Sequence, residues 1–159
     1  MAKKIILWAL TLLCFFTIFA FSSQVSSESS RVSEGITKQI ARIFTNYDAL
    51  SEKEQQEIVG NLHGFIRSVA HFSIYLALGF FLSLLLNSYN IRHRLIVTMI
   101  ICMAYAVFDE FYQGYFVPGR ACEFVDMLKD WSGSFVGFSI SALTINLSGK
   151  IKKAVRQTP

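Results

Sequence analysis

Three runs of this chain carry residues that can do chemistry. The densest reads Asp109-Glu110-x-x-Gln113 and continues to Val117-Pro118-Gly119-Arg120. Upstream, Arg67, His71 and Tyr75 stand at i, i+4 and i+8, one stripe of a helix. Downstream, Asp126, Asp130, Gly133 and Gly137 follow at i, i+4, i+7 and i+11, so an acidic face runs into a glycine face. Histidine and carboxylates can exchange protons when burial and neighbours tune them. Arginines suit bidentate capture of phosphate or carboxylate. Asp109, Glu110, Asp126, Asp130 and His71 could also supply hard-cation or mixed N/O metal ligands. Tyr75 taken alone reads as a packing residue. No nucleophile elbow, zinc signature or phosphate loop accompanies these residues.

Their surroundings are apolar. Of the 159 residues, 53% are hydrophobic and only 16% charged, where soluble domains carry about 25% charged residues. Four apolar stretches, at about 5–21, 65–86, 95–112 and 124–147, predict four membrane-spanning helices. Position makes the acid pair informative. The uncharged run at 95–108 is 14 residues, and a span needs about 20. Asp109 and Glu110 must therefore enter the hydrocarbon or its edge. A carboxylate at the bilayer centre costs about 2.5–3.5 kcal/mol even on insertion scales, so such residues usually face a protein interior and mark function.

Charge predicts the topology. Lys3, Lys4, Arg92, Arg94, Lys150, Lys152, Lys153 and Arg156 lie in the ends and loop of one side, whereas 22–66 carries four basic and six acidic residues. The Lys/Arg bias places both termini and the 87–94 loop in the cytoplasm, with 148–159 as a cytoplasmic tail. The net charge of +4 then reflects topology and attraction to anionic lipid, not nucleic-acid binding. The first stretch reads as a retained anchor rather than a cleaved signal, being longer than the about 7–15 residues of a signal core. Cys14 and Cys102 lie in apolar runs and Cys122 stands alone outside, so no disulfide framework is implied.

The outer loop, 22–64, is the one sizeable polar region. Val32, Ile36, Ile40, Ile43 and Phe44 predict an amphipathic helix on the outer membrane surface or capping the bundle. Ser51-Glu52-Lys53-Glu54 offers a capping box that would start a second short helix. The expected architecture is all-α: an integral membrane four-helix bundle, one domain over 1–159, with an extracellular amphipathic-helix insertion between helices 1 and 2.

Depth can be counted along each helix. His71 stands 16 residues before Asn87, about 24 Å at about 1.5 Å per residue. Asp109 stands 15 residues after Arg94, about 22 Å. Asp130 and Arg67 come out near the outer edge. Polar residues from several helices thus reach one layer. Gly133-x-x-x-Gly137 lets two helices approach closely in the inner half. Pro118-Gly119 turns Arg120 back over the cluster. The reading is a polar pocket open to the outer face.

Phe21-Ser22-Ser23-Gln24 after the first helix, Arg67-x-x-Ala70-His71-Phe72-x-x-Tyr75, Asp109-Glu110-x-x-Gln113 with Val117-Pro118-Gly119-Arg120, and Asp126-x-x-x-Asp130-x-x-Gly133 together resemble the VanZ-like family. The resemblance covers most of the chain outside 30–60 and the tail. It implies a bacterial cell-envelope protein of the plasma membrane and a link to teicoplanin resistance. It also adds Ser23 and Gln24, otherwise a plain helix end, to the candidate site.

Three functions fit these residues. In the first, Arg67 and Arg120 hold the anionic group of an amphipathic envelope ligand. Asp109, Glu110, Gln113, Asp126, Asp130, Ser23, Gln24 and Tyr75 complete the site, and the ligand is a membrane lipid, a lipid-linked wall precursor or a lipoglycopeptide. In the second, Asp109, Glu110 and His71 catalyse modification or hydrolysis of a lipid or isoprenoid-linked substrate. In the third, the chain assembles with partners through 22–64. Against all three stands a purely structural network, Arg67 with Asp130 or His71 with Asp109. Interhelical polar contacts in membranes average about 0.6 kcal/mol, little return for burying so many ionisable groups.

Overall fold

A computed structural model describes residues 1–23, 35, 37–120 and 122–157. Every regular element among them is helical: α1 (Ala2–Ser22), α2 (37–44), a 3₁₀ turn at Tyr47–Ala49, α3 (Glu52–Ser88), α4 (Arg94–Phe116) and α5 (Phe124–Gln157). The fold is all-α and of membrane type. Helices α1, α3 and α4 are long and apolar enough to cross a bilayer. Their outward residues, among them Ile5, Leu12, Phe16, Ile96, Ile100, Met103 and Phe111, are exposed. So much exposed apolar surface would be an aggregation liability in water and is ordinary in lipid.

The fourth apolar stretch behaves differently from the other three. Helix α5 is not among the helices long and apolar enough to cross, because Ser132, Gly133, Ser134, Gly137, Ser139 and Ser141 are interleaved with its Phe, Val and Ile. The buried ones among them, Gly133, Ser134, Gly137 and Ser141, serve packing. α3 and α5 share the most extensive helix contact in the structure. A Cβ at Gly133 would collide with the Phe72 carbonyl oxygen, one at Gly137 with that of Leu76, and one at Gly79 with that of Ser134. The two backbones touch. Ser141 Oγ donates to Ser83 Oγ at 3.0 Å further along the seam.

α3 differs from expectation at its start. The capping box is formed: Ser51 Oγ accepts from the Glu54 N–H, and the Glu54 carboxylate accepts from the Ser51 N–H at 2.9 Å. It does not open a separate short helix, however, but the first turns of a continuous 37-residue α3. Polar residues end an apolar run without ending a helix, so the segment at about 65–86 is only the membrane-length part of a longer rod. At its other end, Ile91 N–H bonds to Leu86 O and Asn90 N–H to Asn87 O. With Asn90 at φ 57, this is a Schellman stop with asparagine in the left-handed position. It folds α4 back beside α3.

In 22–64, Ile43 and Phe44 of α2 are 76% and 80% exposed, while Thr37 and Ala41 are buried. Ile43 and Phe44 therefore face away from the protein body, while Ile40 is partly buried. Val32, Ile36 and Gln24 lie outside the described residues. The core runs through Leu7, Cys14, Ile18, Tyr75, Leu78, Leu82, Leu85, Cys102 and Ala106. All three cysteines are free.

Because the α3–α5 seam leaves no room for a side chain, Gly137→Leu should destabilise the protein by about 1–3 kcal/mol, with a lower melting midpoint in detergent. Gly149→Leu meets nothing within 4 Å and should melt like wild type. Equal midpoints for the two variants would mean the seam is not close-packed.

Candidate functional site

Four-residue spacing puts Arg67, His71 and Tyr75 on one face of α3, and Asp109 with Gln113 on one face of α4. The close seam carries Asp130 of α5 against the first face. Asp109, Gln113 and Asp130 are each 1% exposed. His71 Nδ1 lies 3.6 Å from Asp130 Oδ1, and one donor atom each from His71, Asp109 and Asp130 fall within 4.8 Å of one another.

Gln113 is the hub. Its Nε2 donates to Asp109 Oδ2 at 2.9 Å and to Ser22 Oγ at 3.2 Å. Its Oε1 accepts from Arg67 at 3.1 Å and from Arg120 at 2.6 Å. An amide brings two N–H donors and a separate acceptor oxygen, so one neutral side chain can donate to a carboxylate and a hydroxyl while accepting from two guanidinium groups. Arg120 arrives through the turn: Gly119 has φ 78, and Arg120 N–H bonds to Val117 O at 3.3 Å. That is a type II turn with Pro118 at its second position and glycine where φ must be positive. The guanidinium also donates to Phe21 O at 3.3 Å, tying in the end of α1. Burial, and then the charge of Arg67 beside it, lower the Arg120 pKa from its usual value.

The adjacent acids part company, since neighbours on a helix point about 100° apart. Asp109 joins His71 and Asp130. Glu110, also buried, accepts the Glu123 backbone N–H at 3.0 Å. It holds the residue whose carbonyl begins α5, accepting from Asp126 and Met127. Ser23 bonds to Tyr112 and to Phe19 O rather than to Gln113. Its neighbour Ser22, fully buried, takes that place. The Tyr75 hydroxyl and Asp130 Oδ2 are buried with no hydrogen-bond partner among the described residues.

Beside the cluster, between α3 and α5, opens a cavity of about 290 Å³ lined by Gly64, Arg67, Ser68, His71, Glu123, Asp126, Lys129 and Asp130. Asp126 sits at its rim, paired with Lys129 at 2.6 Å, and Lys129 reaches Ser68 at 3.4 Å. Ser68, Glu123 and Lys129 are additions to the residues singled out from sequence, and Ser22, named there only within the Phe21–Gln24 segment, stands in the site in place of Ser23. For Lys129 the available signal was its i, i+3 spacing from Asp126.

The VanZ/LLP1 family model matches residues 7–145. The chain belongs to the VanZ/LLP1 family. No curated protein and no solved structure matches it. The match spans α1 to most of α5, so every side chain of the hub belongs to the VanZ/LLP1 portion. The family gives a membrane protein, and the geometry above gives this member a buried three-helix polar cluster beside a charged cavity.

Gln113→Leu keeps the volume but strands Asp109 and both arginines. Loss of partners by buried polar groups should lower stability by about 1–3 kcal/mol, read as a depressed melting midpoint. An unchanged midpoint would show that the hub does not hold the helices.

Proposed function

We propose that this VanZ/LLP1 protein is a multi-pass plasma-membrane protein in which α5, though less apolar than the other three helices, crosses packed against α3, so that both termini lie in the cytoplasm. Its polar cluster opens to the outer face and binds the anionic group of an amphipathic envelope molecule. The observation that carries this reading is the convergence of Arg67 and Arg120 on a single neutral oxygen, Gln113 Oε1. Two guanidinium groups share one acceptor, neither is ion-paired with a carboxylate among the described residues, and Arg120 Nε has no partner among those residues. A phosphate or carboxylate entering beside them would relieve that repulsion and accept the spare donors in fork geometry. Arg67 also lines the cavity, whose Lys129 is paired with Asp126 at 2.6 Å. The cavity provides room for a headgroup, and the apolar flanks of α3 and α5 for its tail.

Lipids, lipid-linked wall precursors and lipoglycopeptides of the teicoplanin type share this chemistry. Binding the drug, or the precursor it competes for, would link the site to resistance. A second reading, acid–base catalysis on a lipid or isoprenoid-linked substrate, draws on the contact between His71 and Asp130 in the same cavity wall.

Susceptible cells making wild-type protein should resist a lipid-tailed glycopeptide and not an untailed one. Arg120→Lys and Asp109→Asn, at matched membrane levels, should lose most of that protection. Full protection by Arg120→Lys would exclude bidentate anion capture. Protection by neither wild type nor variants would separate this member from resistance and direct the search to lipids bound or altered by the purified protein.

The topology has its own test. Single cysteines placed within 37–50 should react with an impermeant thiol reagent on intact cells, and one at position 90 should not. The opposite pattern would put the cavity on the cytoplasmic side.

A further inference from the structure

Asp109 and Asp130 face each other across the α4–α5 contact with a single imidazole beside them. All three groups come from different helices, and their donor atoms converge within 4.8 Å. The two nearby guanidinium groups hydrogen-bond to Gln113 Oε1 rather than to either carboxylate. Two carboxylates this close and this buried need a cation or a shared proton, because like charges at short range in low dielectric repel strongly.

We propose that His71, Asp109 and Asp130 bind a divalent transition-metal ion, Zn²⁺ or Mn²⁺, in an open three-ligand site. The spacing suits it. Ligands held about 2.0–2.2 Å from a tetrahedral Zn²⁺ lie about 3.4 Å apart. The His71–Asp130 separation is 3.6 Å, and the Asp109 donor, within 4.8 Å of both, closes inward on the ion. The donor chemistry suits it too: Zn²⁺ takes imidazole nitrogen together with carboxylate oxygen, and carboxylates also suit Mn²⁺.

Independent support comes from the two orphaned polar atoms. Asp130 Oδ2 is buried without a partner, and so is the hydroxyl of Tyr75, whose side chain is 0% exposed. Tyr75 lies one turn along α3 from His71, in the field of both Asp109 and Asp130. A coordinated ion and its bound water would satisfy both atoms. Gln113 supplies the outer support that metal ligands commonly need, fixing Asp109 through Oδ2. His71 and Asp130 also line the cavity, so the fourth coordination position opens toward it. The metal site does not depend on the anion reading: its ligands are none of the arginines.

The full chain, purified in detergent without a histidine tag, tests this directly. After chelation and removal of the chelator, titration with Zn²⁺ or Mn²⁺ should show binding at one equivalent and a raised melting midpoint. Co²⁺ should give a visible ligand-field spectrum that Zn²⁺ abolishes. His71→Ala, Asp109→Asn and Asp130→Asn should each lose the stoichiometric binding. Asp126→Asn, at the rim, should keep it. Wild-type protein that binds neither Zn²⁺ nor Mn²⁺ at one equivalent would overturn the proposal and leave a proton shared between the carboxylates. That result decides even if the ligand variants fail to accumulate. Loss of binding in Asp126→Asn with retention in Asp109→Asn would overturn it as well, by placing the ion at the rim.

Discussion

Backbone contact between α3 and α5 governs where everything else can lie. Gly133 touches the Phe72 carbonyl and Gly137 that of Leu76. This fixes the axial register of one helix on the other to within a residue, because a shift would bring a side chain into the seam. His71 immediately precedes Phe72, and Asp130 lies one turn before Gly133. The 3.6 Å separation between them is therefore a consequence of glycine packing on the adjoining turn, not of attraction between the two groups. In hydrocarbon, close van der Waals approach is a main source of helix association. The polar cluster is positioned by apolar packing and need not fund its own assembly.

α4 then enters as the third wall. Its acids divide the work: Asp109 turns to the cluster, while Glu110 holds the backbone at the start of α5. The link between them is short, and its type II turn sends Arg120 back to Gln113. One amide thus joins α1, α3, α4 and the turn. A hydrophobic residue there could not satisfy these partners, and a carboxylate could not donate to Asp109 or Ser22.

Much of this was legible in the chain because the relevant signals are local. Four-residue spacing showed which faces His71, Gln113 and Asp130 share with their neighbours. Pro118-Gly119 gave the turn, Ser51 with Glu54 the cap, and Gly133 with Gly137 the seam. What local pattern could not give was partner choice. Arg67 pairs with Gln113 rather than Asp130, and His71 lies against Asp130, because helix azimuths depend on all the contacts at once. Ser22 and Ser23 differ only by about 100° of helical rotation, so local pattern did not choose the first over the second for the hub. The extent of α3 was hidden for another reason. Hydropathy marks the part of a helix that suits lipid, and a capped helix continues beyond it wherever its backbone bonds are satisfied.

α1 shows what polar links accomplish in an apolar setting. It is apolar nearly all round, so lipid would accept it at any azimuth and over a range of depths. At one end Trp8 donates to Tyr89 Oη at 3.1 Å and Lys4 sits 4.1 Å over the Tyr89 ring. Midway, Tyr105 donates to Phe15 O at 2.8 Å. At the other end Ser22 and the Phe21 carbonyl receive Gln113 and Arg120. Three fastenings along one rod leave it free neither to spin nor to slide like a piston. The Arg120 turn and the far end of α1, about 30 Å away, are thereby held in one fixed relation by a single rigid stave.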